Sequence, residues 1–139
     1  MRTISLTCLV MLSVFFVGRA HAGEIVIANE SVAVDAIDAE TLKNVFLGKA
    51  TKLDDGSKVV FAVQSSGATS EAFLKDQVGK SPSQFLSYWR KLAFSGKGSM
   101  PEEVGDDVGM VAYVKSTPGA IGYVSDGAAL DGVKTLAVK

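Results

Sequence analysis

The sequence predicts one α/β domain in which strands alternate with helices, and three observations carry that prediction. β-branched, apolar runs at Glu24–Asn29, Val59–Val63 and Ala120–Val124 have the continuous hydrophobicity of strands buried on both faces. Between them lie stretches whose apolar residues recur three and four positions apart, bounded by capping residues and glycines. No repeat, low-complexity segment or linker interrupts the alternation. Such an order implies a sheet with helices on both faces.

The N-terminus reads as an export signal over residues 1–22. Arg2 supplies the positive charge, Ile4 to Val17 is a 14-residue apolar run, and Ala20-His21-Ala22 sets small residues at both recognition positions of a signal-peptidase site. A run of 14 is short of the ~18 residues a membrane-spanning helix needs. The domain is therefore expected over residues 23–139, and a periplasmic location with it. Cys8 and His21 fall within the signal, so the exported chain has neither cysteine nor histidine. Without Arg2 and Arg19 it holds 12 basic and 15 acidic residues, a net charge of −3. No basic stripe suggests nucleic acid, and no later apolar run suggests membrane insertion.

After the first strand, Asp38 is placed to cap a helix carrying Leu42, Val45 and Phe46, with Gly48 as its stop. Asp54-Asp55-Gly56-Ser57 is a turn, and the second strand follows it. Ser65-Ser66-Gly67-Ala68-Thr69-Ser70 leads into a helix with Phe73, Leu74 and Val78, ended at Gly79. Ser81-Pro82-Ser83-Gln84 is a capping box with proline in the first turn, and its helix presents Phe85, Trp89, Leu92 and Ala93. Phe94 to Val104, with two glycines and Pro101, reads as loop. Asp106 and Asp107 favour a helix start, with Val108, Val111, Ala112 and Lys115 spaced as one face and Pro118-Gly119 as the end. Thr135 to Val138 is a fourth strand. Phe46, Phe73, Trp89, Leu92, Val111 and Ile121 are the expected core.

Chemistry concentrates at the serine- and glycine-rich turn. A strand that runs through small residues into a helix gathers free backbone N–H groups at the positive end of the helix dipole, and serine hydroxyls add donors without bulk. An oxyanion suits that arrangement; ordinary caps and turns have the same composition. Other chemistries have fewer parts. A zinc or copper site lacks its histidine and cysteine ligands. The pairs Asp54-Asp55, Glu102-Glu103 and Asp106-Asp107 lack the alternating spacing of a calcium loop. A nucleophilic Ser65, Ser66 or Ser70 has no histidine base, with Lys75 the remaining basic neighbour. The residues argue against an enzyme, and no cofactor is implied. Tyr88 and Trp89 form either a sugar-stacking pair or part of the apolar stripe, and the helical period favours the stripe for Trp89.

Several segments taken in order resemble the substrate-binding proteins of phosphate ABC transporters. Leu42-Lys43-Asn44-Val45-Phe46-Leu47-Gly48-Lys49 with Asp55-Gly56-Ser57, then Ser66-Gly67-Ala68-Thr69 with Phe73, are similar to two of that family's landmarks. Tyr88-Trp89, Phe94-Ser95-Gly96-Lys97-Gly98 and Pro118-Gly119-Ala120-Ile121-Gly122-Tyr123-Val124 continue the series, the last being the most specific. The resemblance implies a single lobe of a type II periplasmic binding protein-like fold, with a mixed sheet of about four to five strands. It also implies a cleft that holds phosphate or a related oxyanion and delivery to an ABC permease. Carried over by position, Ser66, Gly67 and Thr69 donate to the anion, with Ser65 and Ser70 beside them. The sequence departs from the family where Gln64 and Ser70 stand in place of arginines and Leu53 in place of a tryptophan. A lobe retained as a non-catalytic envelope interaction module, binding no small anion, is the alternative reading.

Export predicts a mature protein that begins at Gly23. Intact-mass measurement of the periplasmic fraction checks this, and retention of Met1 in the membrane fraction contradicts it.

Overall fold

A computed structural model describes residues 23–139; the signal peptide read over residues 1–22, with Cys8 and His21, lies outside the described residues. Strand β1, Glu24–Ala28, lies in the middle of the sheet and runs antiparallel to both neighbours, β5 (Ala120–Ser125) and β6 (Lys134–Val138). Beyond β6 lies the two-residue β2, Ala36–Ile37. Beyond β5 lie β3, Val60–Gln64, and β4, Glu102–Val104, both parallel to it in direction. The six-stranded order is β2-β6-β1-β5-β3-β4. The sheet is mixed, as the resemblance implies, but has six strands rather than four to five.

Strands β2 and β4 are the ones the sequence conceals. β4 is Glu102-Glu103-Val104, without an apolar run, inside the stretch expected to be loop. Its backbone pairing to β3 defines it, Ala62 opposite Glu102 through Gln64 opposite Val104. Propensity does not resolve so short a polar edge strand.

Helices cover both faces, and alternation along β5 shows how. Gly122 meets helix α4 (Asp107–Ser116), where a Cβ would lie 2.4 Å from the Met110 sulfur. The next residue, Tyr123, points the other way, into the rings of Phe46 and Phe73. Those rings come from helices α1 (Ala39–Phe46) and α2 (Ala68–Phe73). α2 continues into a π-helical turn, Leu74–Val78, closed by Gly79 in the left-handed region. Helix α3, Pro82–Phe94, begins with the expected capping box: Ser81 accepts from Gln84 N, and Gln84 accepts from Ser81 N. Asp38 holds the N-cap position of α1, yet its side chain makes no cap hydrogen bond.

The core corrects two expected positions. Phe46, Phe73 and Ile121 are fully buried and Trp89 nearly so, whereas Leu92 and Val111 are only half-buried. In α4 the inward residues are Met110 and Val114, and Val108 is 78% exposed. The sheet-facing stripe of α4 is Asp107, Met110 and Val114, spaced three and four apart, so it opens with a carboxylate that a hydrophobic pattern does not register. Asn29 secures the far end of the helix, donating from Nδ2 to Val114 O at 2.7 Å and Lys115 O at 3.0 Å.

Trp89 joins α3 to α1, since its indole N–H donates to Phe46 O at 3.0 Å and its ring lies against Gly48 and Gly98. At Gly48, with φ +70°, a Cβ would sit 2.6 Å from the ring. Trp89→Ala is therefore expected to lower stability by about 3–5 kcal/mol, the cost of deleting a large buried aromatic. Val108→Ser should stay within about 0.5 kcal/mol. Denaturant melts of both variants test the two faces at once, and a neutral Trp89→Ala would refute this packing.

Candidate functional site

The carboxyl ends of the three parallel strands β4, β3 and β5 come together, which is where open α/β sheets place ligands. β3 ends at Gln64, and the chain passes through Ser65 and Ser66 to Gly67, the N-cap of α2. Ser65 N donates to Val104 O at 2.8 Å, which fixes the turn to β4. Gly67 has φ +108°, a value that only glycine adopts without strain, and nothing lies within 4 Å of where its Cβ would stand. The α2 start has no side-chain cap, and the first hydrogen bond back to the turn is Glu71 N to Gly67 O at 3.1 Å. The amides of the first turn thus face the turn without a side-chain partner. Ser65, Ser66 and Gly67 are exposed and Thr69 is half-buried.

Ser70 has a different position from its predicted partners. It is 2% exposed, and its hydroxyl is directed into the core. Ser70 Oγ donates to Gln64 O at 3.0 Å and lies 2.7 Å from the Tyr123 hydroxyl, which in turn accepts from Gln64 N at 2.9 Å. The serine has one proton and gives it to the carbonyl, so Tyr123 must donate to Ser70. The result is a closed ring of three hydrogen bonds through the backbone of Gln64. Burial pushes the Tyr123 phenol above its ordinary range, outweighing the Ser70 and Gln64 hydrogen bonds that lower it, so it keeps the proton it donates. The Ser70 hydroxyl, expected to contact a ligand, holds the turn from behind.

The Gln64 side chain extends the network. Its Nε2 donates to Asp107 Oδ1 at 2.8 Å and to Tyr123 O at 3.2 Å. Ser125, the last residue of β5, donates to Asp107 from its backbone N at 3.2 Å and from its hydroxyl. Asp106 caps α4 by accepting from Gly109 N at 2.8 Å, so the acidic pair has two separate structural tasks. No buried side-chain polar atom among the described residues lacks a partner. Lys75 is exposed on the π-helical turn. Sequence reasoning missed Tyr123, Asp107 and Ser125; the one available signal was a tyrosine alternating with Gly122 in an otherwise aliphatic strand.

No protein-family model matches the chain, and no curated protein matches it in sequence. Solved structures match its fold. PstS from Borrelia burgdorferi superposes with a TM-score of 0.62 at 20% identity, over 84% of this chain and 47% of that one. An ABC-type phosphate transport receptor from Vibrio cholerae gives 0.55 at 16% identity, over 84% and 46%. A substrate-binding protein of a putative phosphate ABC transporter from Clostridium perfringens, with bound phosphate, gives 0.54 at 16%, over 84% and 44%. The chain has the fold of part of these receptors and spans less than half the length of each. At such identities the likeness is one of fold.

Asp107 ties the site to pH. Burial raises its pKa, but the hydrogen bonds from Ser125 and Gln64 together outweigh that and hold the carboxyl below its ordinary value of 3.8. Its stabilising contribution is complete above that ordinary value and is lost as pH falls through the lowered one. Asp107→Asn should therefore flatten the acid limb of stability measured from about pH 5 to about pH 2. A limb of unchanged steepness would mean that the carboxylate is not held by these donors.

Proposed function

We propose that this protein is a periplasmic solute-binding protein for phosphate or a related oxyanion, working with an ABC permease and without catalysis. The turn from Ser65 to Thr69 carries the reading. Exposed hydroxyls and a left-handed glycine there precede a helix whose first turn has no side-chain cap, at the carboxyl ends of parallel strands. The shared fold with phosphate receptors supports it. Ser65, Ser66, Gly67 and Thr69 donate to the anion in this reading, and Ser70 contributes its backbone N–H while its hydroxyl holds the turn. Export through the Ala20-His21-Ala22 signal supplies the location.

One observation favours a second reading, a non-catalytic envelope interaction module that binds no small anion. Gln64 brings no positive charge, and its carboxamide is already committed to Asp107 and Tyr123. The bidentate guanidinium usual for gripping an oxyanion is thus missing from that position.

Calorimetric titration with phosphate and sulfate separates the two readings. Ser66→Ala should weaken binding by about ten- to a hundred-fold, the equivalent of about 1.5–3 kcal/mol for one hydrogen bond to a charged ligand. Gly67→Val should weaken it further, because a branched side chain strains φ +108° and blocks approach to the amides. Ser81→Ala, which removes the α3 cap, should lower stability by about 1 kcal/mol and leave affinity unchanged. An unmutated protein that binds neither anion at millimolar concentration sinks the solute-binding reading. Equal binding by Ser66→Ala sinks the site while leaving the function.

A further inference from the structure

A groove of about 610 Å³ lies where α3 meets the C-terminal end of α1, and it shares Trp89, Met100 and Pro101 with the smaller pocket beside Ser65. Its lining is predominantly apolar: Phe61 and Leu92 are half-buried there, and Met100 and Val60 are each 42% exposed. The charges around it run against the net −3 of residues 23–139. Lys49 and Lys97 line the groove against a single acid, Glu102. On the neighbouring hairpin Lys52 and Lys58 flank Asp54 and Asp55 and are balanced by them, so the positive charge at the groove rests on Lys49 and Lys97. Glu102 also begins β4, the strand at the end of the sheet order, so one end of the groove adjoins a sheet edge.

We infer that this groove docks an extended peptide segment of another protein in which large apolar side chains alternate with carboxylates. Apolar side chains fill the depression, the lysines meet the acids, and the edge position suits an added strand. A flat sugar fits less well, because the Trp89 ring is 6% exposed and pressed against Gly48 and Gly98. The inference is independent of anion binding at the turn.

The chain has a single tryptophan, Trp89, and it reports on the groove directly. The probe is a hexapeptide alternating phenylalanine or leucine with glutamate, titrated against the purified protein, with the glutamine version as control. The acidic peptide should shift Trp89 emission with micromolar affinity, and the control should bind at least about tenfold more weakly. Raising salt from about 50 to about 300 mM should erase most of that difference. Met100→Asp and Lys97→Glu, both at exposed positions, should weaken the acidic peptide by at least about fivefold with unchanged thermal melts. Equal binding of the two peptides overturns the inference, as does no binding at millimolar concentration. Self-association that shifts Trp89 emission would assign the groove to a second copy, and anionic phospholipid vesicles doing so without peptide competition would assign it to a membrane. Either result also overturns it.

Discussion

The ring of hydrogen bonds joining Tyr123, Ser70 and Gln64 is the constraint on which the rest of the molecule depends. A phenol buried beneath a sheet must satisfy its hydroxyl, and this one does so with the backbone of the strand that leads into the turn. Its ring is stacked on Phe73 at 4.0 Å, and Phe73 packs edge-on against Phe46 at 4.9 Å. One side chain therefore sets the height of α2 above the sheet, the direction in which β3 ends, and the contact with α1. Because Ser70 lies inside that ring, the preceding residues are left outside it and form the exposed turn.

The polar network continues sideways to Asp107 and Ser125, so the starts of α2 and α4 are held to the ends of β3 and β5 by one connected set of bonds. Such networks specify geometry when every member is satisfied, and here every member is. The turn is thus positioned from below by buried groups that need not touch a ligand. Gln64 belongs to that support: a neutral carboxamide bridges a carboxylate and a carbonyl where the resemblance leads one to look for a cation.

Much of the fold could be read from residues with strong local physics. The buried strands at Ile25, Phe61 and Ile121 announce themselves by continuous apolar character, and the α3 start by Ser81-Pro82-Ser83-Gln84. What escaped was set by partners distant in sequence. Glu102-Glu103-Val104 is a strand only because β3 lies alongside it. α4 turns Met110 and Val114 inward, rather than Val108, because Gly122 admits them and Asp107 needs the strand ends. The turn itself was legible as composition; that Ser70 belongs to the core and not to its surface was not, since this follows from a tyrosine 53 residues away.

The π-helical turn at Leu74–Val78 has a consequence for how the surface turn and α3 are set relative to each other. A π turn accommodates one more residue than the α-helix it interrupts. Removing a residue there, and letting the helix run on as α, would rotate everything beyond it by about 100° relative to Gly67, since an α-helix advances that much per residue. Leu74 and Val78, both buried, could not then keep their places while α3 kept its own. The inserted residue acts as an angular spacer: it lets the start of α2 and the entry to α3 be oriented independently.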